Sequence, residues 1–239
     1  MSTRTQTSPK SLVRQAMDAV TGHIVAEKLR VGDTLPGEAH FAGQLGVSRA
    51  VMREAFGALA ALRLIDVGNG RRARVGAIDG SVMATSLEHA ITTDQISVAD
   101  VWDVRRTLEV RTAALAAVNR SAAEATRLSE LAEQMAAQTH DLPAITQTDI
   151  EFHATIARAG RNALFVQIVT SFAPMMQVAV PAAWRTRTAT EQHGVMIHRH
   201  RAIAAAIVAG DEHEAGRAME AHFDASIGLV LRQMAMTAD

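Results

Sequence analysis

One stretch of this chain, Leu64 to Val75, reads as β structure. Leu64-Ile65-Asp66-Val67 is a strand, Gly68-Asn69-Gly70 a turn carrying the Asn-Gly signal, and Arg71 to Val75 a second strand. Elsewhere the apolar residues recur at helical spacing, so the chain is held to a mainly α fold with one small hairpin. Composition agrees: aromatics make up 3% of the 239 residues, Tyr is absent and Pro numbers five, which disfavours a sandwich or a barrel. With 48% hydrophobic residues the chain can bury two modest cores, and disordered or collagen-like architectures are excluded.

The local chemistry divides the chain. Leu12, Val13, Ala16, Val20, Ile24 and Leu29 predict a first helix over about residues 10–29. Pro36 suits the first turn of a short second helix, about 36–45, closed by Gly46. Ser48 caps a third helix that carries Val51, Met52, Ala55, Leu59 and Leu62 on one arc. Together with the hairpin these elements predict a winged helix-turn-helix over residues 10–76. Residues 77–94 read as a linker and first helix, and 95–235 as an all-α bundle. Six or seven helices are expected from Asp79 onward, with capping signals at Ser121/Glu124 and Asp211/Glu214, stops at Gly160 and Gly210, and a kink or break from Pro174 and Pro181.

Charge divides the chain at the same place. Residues 1–76 hold 11 Lys/Arg against 6 Asp/Glu, whereas residues 77–239 hold 13 against 19. A basic first third points to a polyanionic partner. On the third helix Arg49 and Arg53 face away from the apolar arc, where two guanidinium forks can enter a major groove and read guanine. Ser48 and the helix N-terminus are placed for a phosphate, and Gly70, Arg71 and Arg72 form the tip of a basic wing. The bland alternative, a solvated helix face and an ordinary charged hairpin, leaves the coincidence of all three features unexplained.

Cysteine is absent, which excludes disulfides, thiol catalysis and thiolate-bound metal. Imidazole and carboxylate remain as ligands, and eight of the ten His lie after residue 76. Asp149 and His153, one turn apart, share the apolar side of their helix with Ile145, Phe152 and Ile156. His200 lies in the apolar arc of a later helix with Ala204 and Ile207, and His222 sits inward among Ala215, Ala218 and Leu229. His193 shares the face of His200, while His198 points to the side. Each inward group alone reads as a satisfied core residue. Four in one bundle would each need a partner, and one divalent ion satisfies all of them. Zn, Ni, Mn, Co and Fe(II) all suit such a set. Arg105 also faces inward and requires an anion, either Glu109 at i+4 or the carboxylate of a bound effector. Trp102 reads as core or as pocket lining.

Several of these segments resemble a known family. Leu35-Pro36-Gly37-Glu38, Gly46-Val47-Ser48-Arg49, Arg53-Glu54-Ala55 and Leu64-Ile65 before the glycine-bearing hairpin resemble the winged-helix domain of GntR-family transcription regulators. Asp149-x-x-Phe152-His153, Gly160-Arg161-Asn162, His200-Arg201-Ala202-Ile203 and Ala221-His222-Phe223 resemble the effector-binding FCD domain of the FadR-like subfamily, whose opening motif is similar to Arg105-x-x-Leu108-Glu109. The resemblance implies DNA contacts at Ser48, Arg49, Arg53 and Gly70. It also implies a divalent metal on Asp149, His153, His200 and His222, with His193 and His198 outside the motif. The expectation is a cytoplasmic homodimer, without a membrane segment, that binds a palindromic double-stranded operator and answers to a small carboxylate held by Arg105 and the metal. A metalloenzyme and a direct metal sensor are the competing expectations.

Overall fold

A computed structural model describes residues 11–68, 70–185 and 190–237. The chain divides into two compact units between Val82 and Met83.

In the first unit α1 (Leu12–Ala26), α2 (Glu38–Leu45) and α3 (Arg49–Ala61) precede β1 (Ile65–Gly68) and β2 (Arg71–Val75). The helices close one core around Ala16, Val20, Leu35, Phe41, Met52, Phe56 and Leu59, onto which Ile65 and Ala73 of the hairpin pack. Three boundaries differ from the sequence expectation. α1 stops at Ala26, because Glu27 caps it and Lys28 turns left-handed at φ 54°. α2 begins at Glu38 behind an extended Gly37, so Pro36 lies before the cap and not in the first turn. Leu62, expected on the apolar arc, instead follows α3 as its 43% exposed cap residue. The strands pair antiparallel with a bulge between Asp66 and Gly68. Asn69, half of the turn signal, lies outside the described residues, and Gly70 takes the left-handed φ of 71° that favours glycine.

The second unit is entirely helical among the described residues. It holds α4 (Ser81–Thr92, which begins at the division), α5 (Val98–Asn119), α6 (Ala122–Ala137), α7 (Leu142–Ala159), α8 (Ala163–Ser171), α9 (Ala173–Arg185), α10 (Thr190–Ala209) and α11 (Glu212–Thr237). That is eight helices where six or seven were expected. Part of the difference comes from the apolar segment after Ala163, which breaks at Phe172 into α8 and α9 with a bend of 50°. Pro174 sits in the first turn of α9, where its missing N–H costs nothing, and Pro181 lies inside that helix.

Ser121 and Glu124 form the expected reciprocal cap of α6, and Asp211 accepts from the Glu214 N–H. The core of this unit gathers Trp102, Leu128, Leu131, Phe152, Ile156, Ile203, Ile207, Met219 and Phe223. No single described helix is long and apolar enough to cross a membrane.

Candidate metal centre and DNA-reading surface

Three helices bring the predicted ligands together. α7 is fixed at its start by Asp141, whose carboxylate accepts from the Ala144 N–H, and ends at Gly160. Gly160 sits against α5, where a Cβ would come to 3.4 Å from both Leu115 Cβ and the Thr112 carbonyl oxygen. From that crossing Asp149 and His153 point inward, His200 enters from α10 and His222 from α11, all four buried. One ligand atom from each of the three imidazoles lies within 4.8 Å of the other two. The ring centroids of His200 and His222 are 4.6 Å apart, and those of His153 and His222 are 5.2 Å apart.

The hydrogen bonds behind the rings select the nitrogens that face inward. His200 Nδ1 is 3.0 Å from the Met196 carbonyl oxygen, which can only accept and so orients the ring. Its Nε2 lies 3.1 Å from Asp149 Oδ1 and donates to it; a bound ion would take the place of that proton between the two groups. His153 likewise gives Nδ1 to Glu109 Oε2, which leaves Nε2 for an ion.

The electrostatics suit the same donor set. Burial pushes the His222 imidazole well below its ordinary value, with His200 and His153 adding to the shift, so it is neutral and able to ligate. Burial would raise the Asp149 carboxyl, but the His200 hydrogen bond and the surrounding imidazoles outweigh it and hold the group ionised. Burial also opposes protonation of His153, yet Glu109 raises its pKa overall. Metal binding there would therefore release a proton.

Arg105 is 3% exposed on α5. Its guanidinium is enclosed by Trp102, Phe172 and Phe223, with ring centroids 5.2, 5.8 and 5.4 Å from Cζ. Its Nε donates to Glu109 Oε1 at 2.7 Å, so the sequence alternative of an i,i+4 ion pair is formed. Its Nη1 donates to Met176 Sδ, and the residue lines the same space as the imidazoles. That space has two lobes of about 40 Å³ each, both lined by Arg105, Asp149, His153 and Met176. Trp102 lines one lobe, and its indole N–H has no hydrogen-bond partner among the described residues.

A larger cavity of about 320 Å³ between α4, α5, α8 and α9 is lined chiefly by apolar residues such as Leu87, Ile91, Phe172 and Met175. It contains none of the candidate ligands and offers little to recognise an acid.

His193 and His198 do not join the cluster. His193 stacks on Trp184 with ring centroids 4.4 Å apart, and His198 is exposed.

On the first unit Arg49 and Arg53 are both exposed on α3, away from Met52, Ala55 and Leu59. The Ser48 hydroxyl accepts from the Val51 N–H at 3.3 Å and so caps the recognition helix. In the wing Arg72 is exposed, but Arg71 pairs with Asp66 at 2.9 Å and Arg74 donates to the Gly32 carbonyl at 2.8 Å. Two of the three wing arginines therefore have intramolecular partners.

Comparison with known proteins identifies the two units. The model of bacterial regulatory proteins of the gntR family matches residues 12–75, and the FCD domain model matches residues 100–225. The chain belongs to the GntR family. As an FCD-bearing member it is a DNA-binding transcription regulator and not an enzyme. The Glc operon transcriptional activator of Escherichia coli K12 is 29% identical over 205 residues, covering 83% of this chain and 81% of the relative. The putative L-lactate dehydrogenase operon regulatory protein of the same organism is 28% identical over 219 residues, covering 90% and 84%. The galactonate operon transcriptional repressor is 26% identical over 203 residues, covering 82% and 85%. A GntR structure from Streptococcus agalactiae shares the fold, with a TM-score of 0.66 at 24% identity, covering 89% of this chain and 97% of that one.

The sequence places Glu109 only as a partner for Arg105; the structure shows that it also binds His153 across 44 positions. Its inward place beside Arg105 was a signal; the second partner needed the crossing of α5 and α7.

Proposed function

We propose that this regulator holds a divalent transition metal on Asp149, His153, His200 and His222, and that a small carboxylate effector binds beside it with Arg105 as its clamp. The observation that carries the reading is the meeting of four buried ligand-type groups and a buried guanidinium around one chamber. When bound, the ion supplies Lewis-acid attraction for carboxylate and hydroxyl oxygens. The protein supplies neutral, oriented imidazoles, the terminal N–H fork of Arg105 and a water-poor enclosure in which these attractions are strong.

In this reading the protein is a cytoplasmic homodimer bound to a palindromic operator. Two recognition helices then reach major grooves about one helical turn (~34 Å) apart. Arg49 and Arg53 read bases, Ser48 and the wing residues Gly70, Arg71 and Arg72 meet the backbone, and Arg71 leaves Asp66 to do so. The carboxylate changes operator affinity only to the extent that it binds the DNA-competent and DNA-incompetent arrangements differently. Repression is the commoner direction for such a device; the relatives include an activator and a repressor.

The test is metal analysis of the purified protein followed by a thermal-shift survey of carboxylic acids with and without chelator. A ligand at 100 times its Kd adds about 2.7 kcal/mol of stability. Stoichiometric metal and acid stabilisation that chelator abolishes is the expected result. Stabilisation by metal with no response to any acid would favour direct metal sensing, and a metal-free protein after reloading would reject the centre.

A further inference from the structure

Glu109 is 1% exposed and borders neither lobe of the chamber, yet it stands behind two groups that do. One carboxylate oxygen accepts from Arg105 Nε at 2.7 Å and the other binds His153 Nδ1. We propose that Glu109 is the positioning and selectivity residue of the chamber: it ties the anion clamp to a metal ligand and sets the site's charge, so that a small monocarboxylate is accepted over a dianion. This rests on the metal-and-acid reading above.

The positioning half follows from the two bonds. With Nδ1 of His153 committed to Glu109, the ring has one orientation and presents Nε2 inward; carboxylate partners of this kind also raise the basicity of a ligating imidazole. With Nε of Arg105 committed to the other oxygen and Nη1 donating to Met176 Sδ, the guanidinium plane is fixed, and Nη2 with the second Nη1 proton remains for an incoming carboxylate.

The selectivity half is a charge count. The buried fixed charges around the chamber, among the described residues, are the cation Arg105 and the anions Glu109 and Asp149. Imidazoles ligate in the neutral form. A divalent ion then leaves the loaded site with one net positive charge, which a monoanion neutralises. A dianion overshoots and strands a charge where water cannot screen it. Without Glu109 the site would carry two positive charges and favour dianions. Size points the same way, since two lobes of about 40 Å³ admit on the order of three water-sized groups each.

The experiment is calorimetric titration of the full chain, first with zinc into metal-stripped protein, then with L-lactate and with malonate into the zinc-loaded form. Wild type should prefer L-lactate by at least about tenfold. E109Q should bind zinc ~10–100-fold more weakly and, at saturating zinc, shift the ratio of the two acids by about tenfold or more towards malonate. The double variant R105Q/E109Q keeps the count of one positive charge, so its preference should return to L-lactate although both acids bind more weakly. An unchanged acid ratio in E109Q overturns the proposal. If E109Q does not fold, the double variant decides, and loss of its L-lactate preference overturns the charge count. A wild-type chain that binds neither zinc nor acid fails the metal reading itself and this proposal with it, which separates the two failures.

Discussion

The two units use arginine in opposite ways. In the first, Arg49 and Arg53 stand exposed on a helix whose other face closes a small core, so their charges are hydrated and cost the fold almost nothing. In the second, Arg105 is sealed among Trp102, Phe172 and Phe223, and it is tolerable there because Glu109 meets it. An exposed charge is available to whatever arrives from solvent, and its removal is felt mainly in binding. A buried one belongs to a balanced group and is felt in the fold as well as in the ligand.

The largest effect that would sharpen this contrast is Arg105→Met, which leaves Glu109 buried with one partner fewer. Loss of one member of a buried pair costs about 3–5 kcal/mol, so denaturant unfolding should show a drop of that size, whereas Arg53→Ala should stay within about 0.5 kcal/mol. Equal stability of the two variants would break the comparison.

Arg49→Ala should leave the melting temperature in place and weaken specific operator binding by about 1–3 kcal/mol, read by fluorescence anisotropy against a scrambled duplex. An equal loss on both duplexes would make Arg49 a backbone contact.

A pH titration probes a half-exposed case between these extremes. The Glu124 carboxyl is pulled down to about 2, chiefly by its hydrogen bonds with Arg161, with the Ser121 cap contributing. Its folded value lies below the ordinary one near 4.3, so its contribution is present above that pH and is lost as pH falls towards 2. Glu124→Gln should flatten that part of the stability curve relative to wild type.

The smallest expected effect is Arg72→Ala. It should weaken specific and non-specific duplexes alike by a few-fold and reduce the salt-dependence slope by about one.

Much of this was legible in the sequence because it is local. Ser48, Ser121 and Asp211 announce their helix starts through side chains that reach N–H groups three residues on. The inward Asp149, His153, His200 and His222 follow from helical period alone. What stayed hidden depends on approach between distant segments or on backbone angles without a sequence mark. Lys28 and Arg63 turn left-handed at φ 54° and 58° although neither is Gly or Asn. The Ser97/Asp100 capping box at the start of α5 is local too and has the same spacing as Ser121/Glu124. The bond from Glu109 to His153 joins α5 to α7 across 44 positions, and the shielding of Arg105 by Phe172 depends on the break between α8 and α9.

The most direct test of the central claim, that the buried histidine chamber governs the exposed arginine surface, is operator affinity measured with and without a stabilising carboxylate, in metal-loaded and in chelated protein. The account predicts that the acid shifts Kd for the operator only in the metal-loaded state, and that His153→Ala abolishes the shift while operator binding without the acid persists. An acid response that survives both chelation and His153→Ala would contradict it.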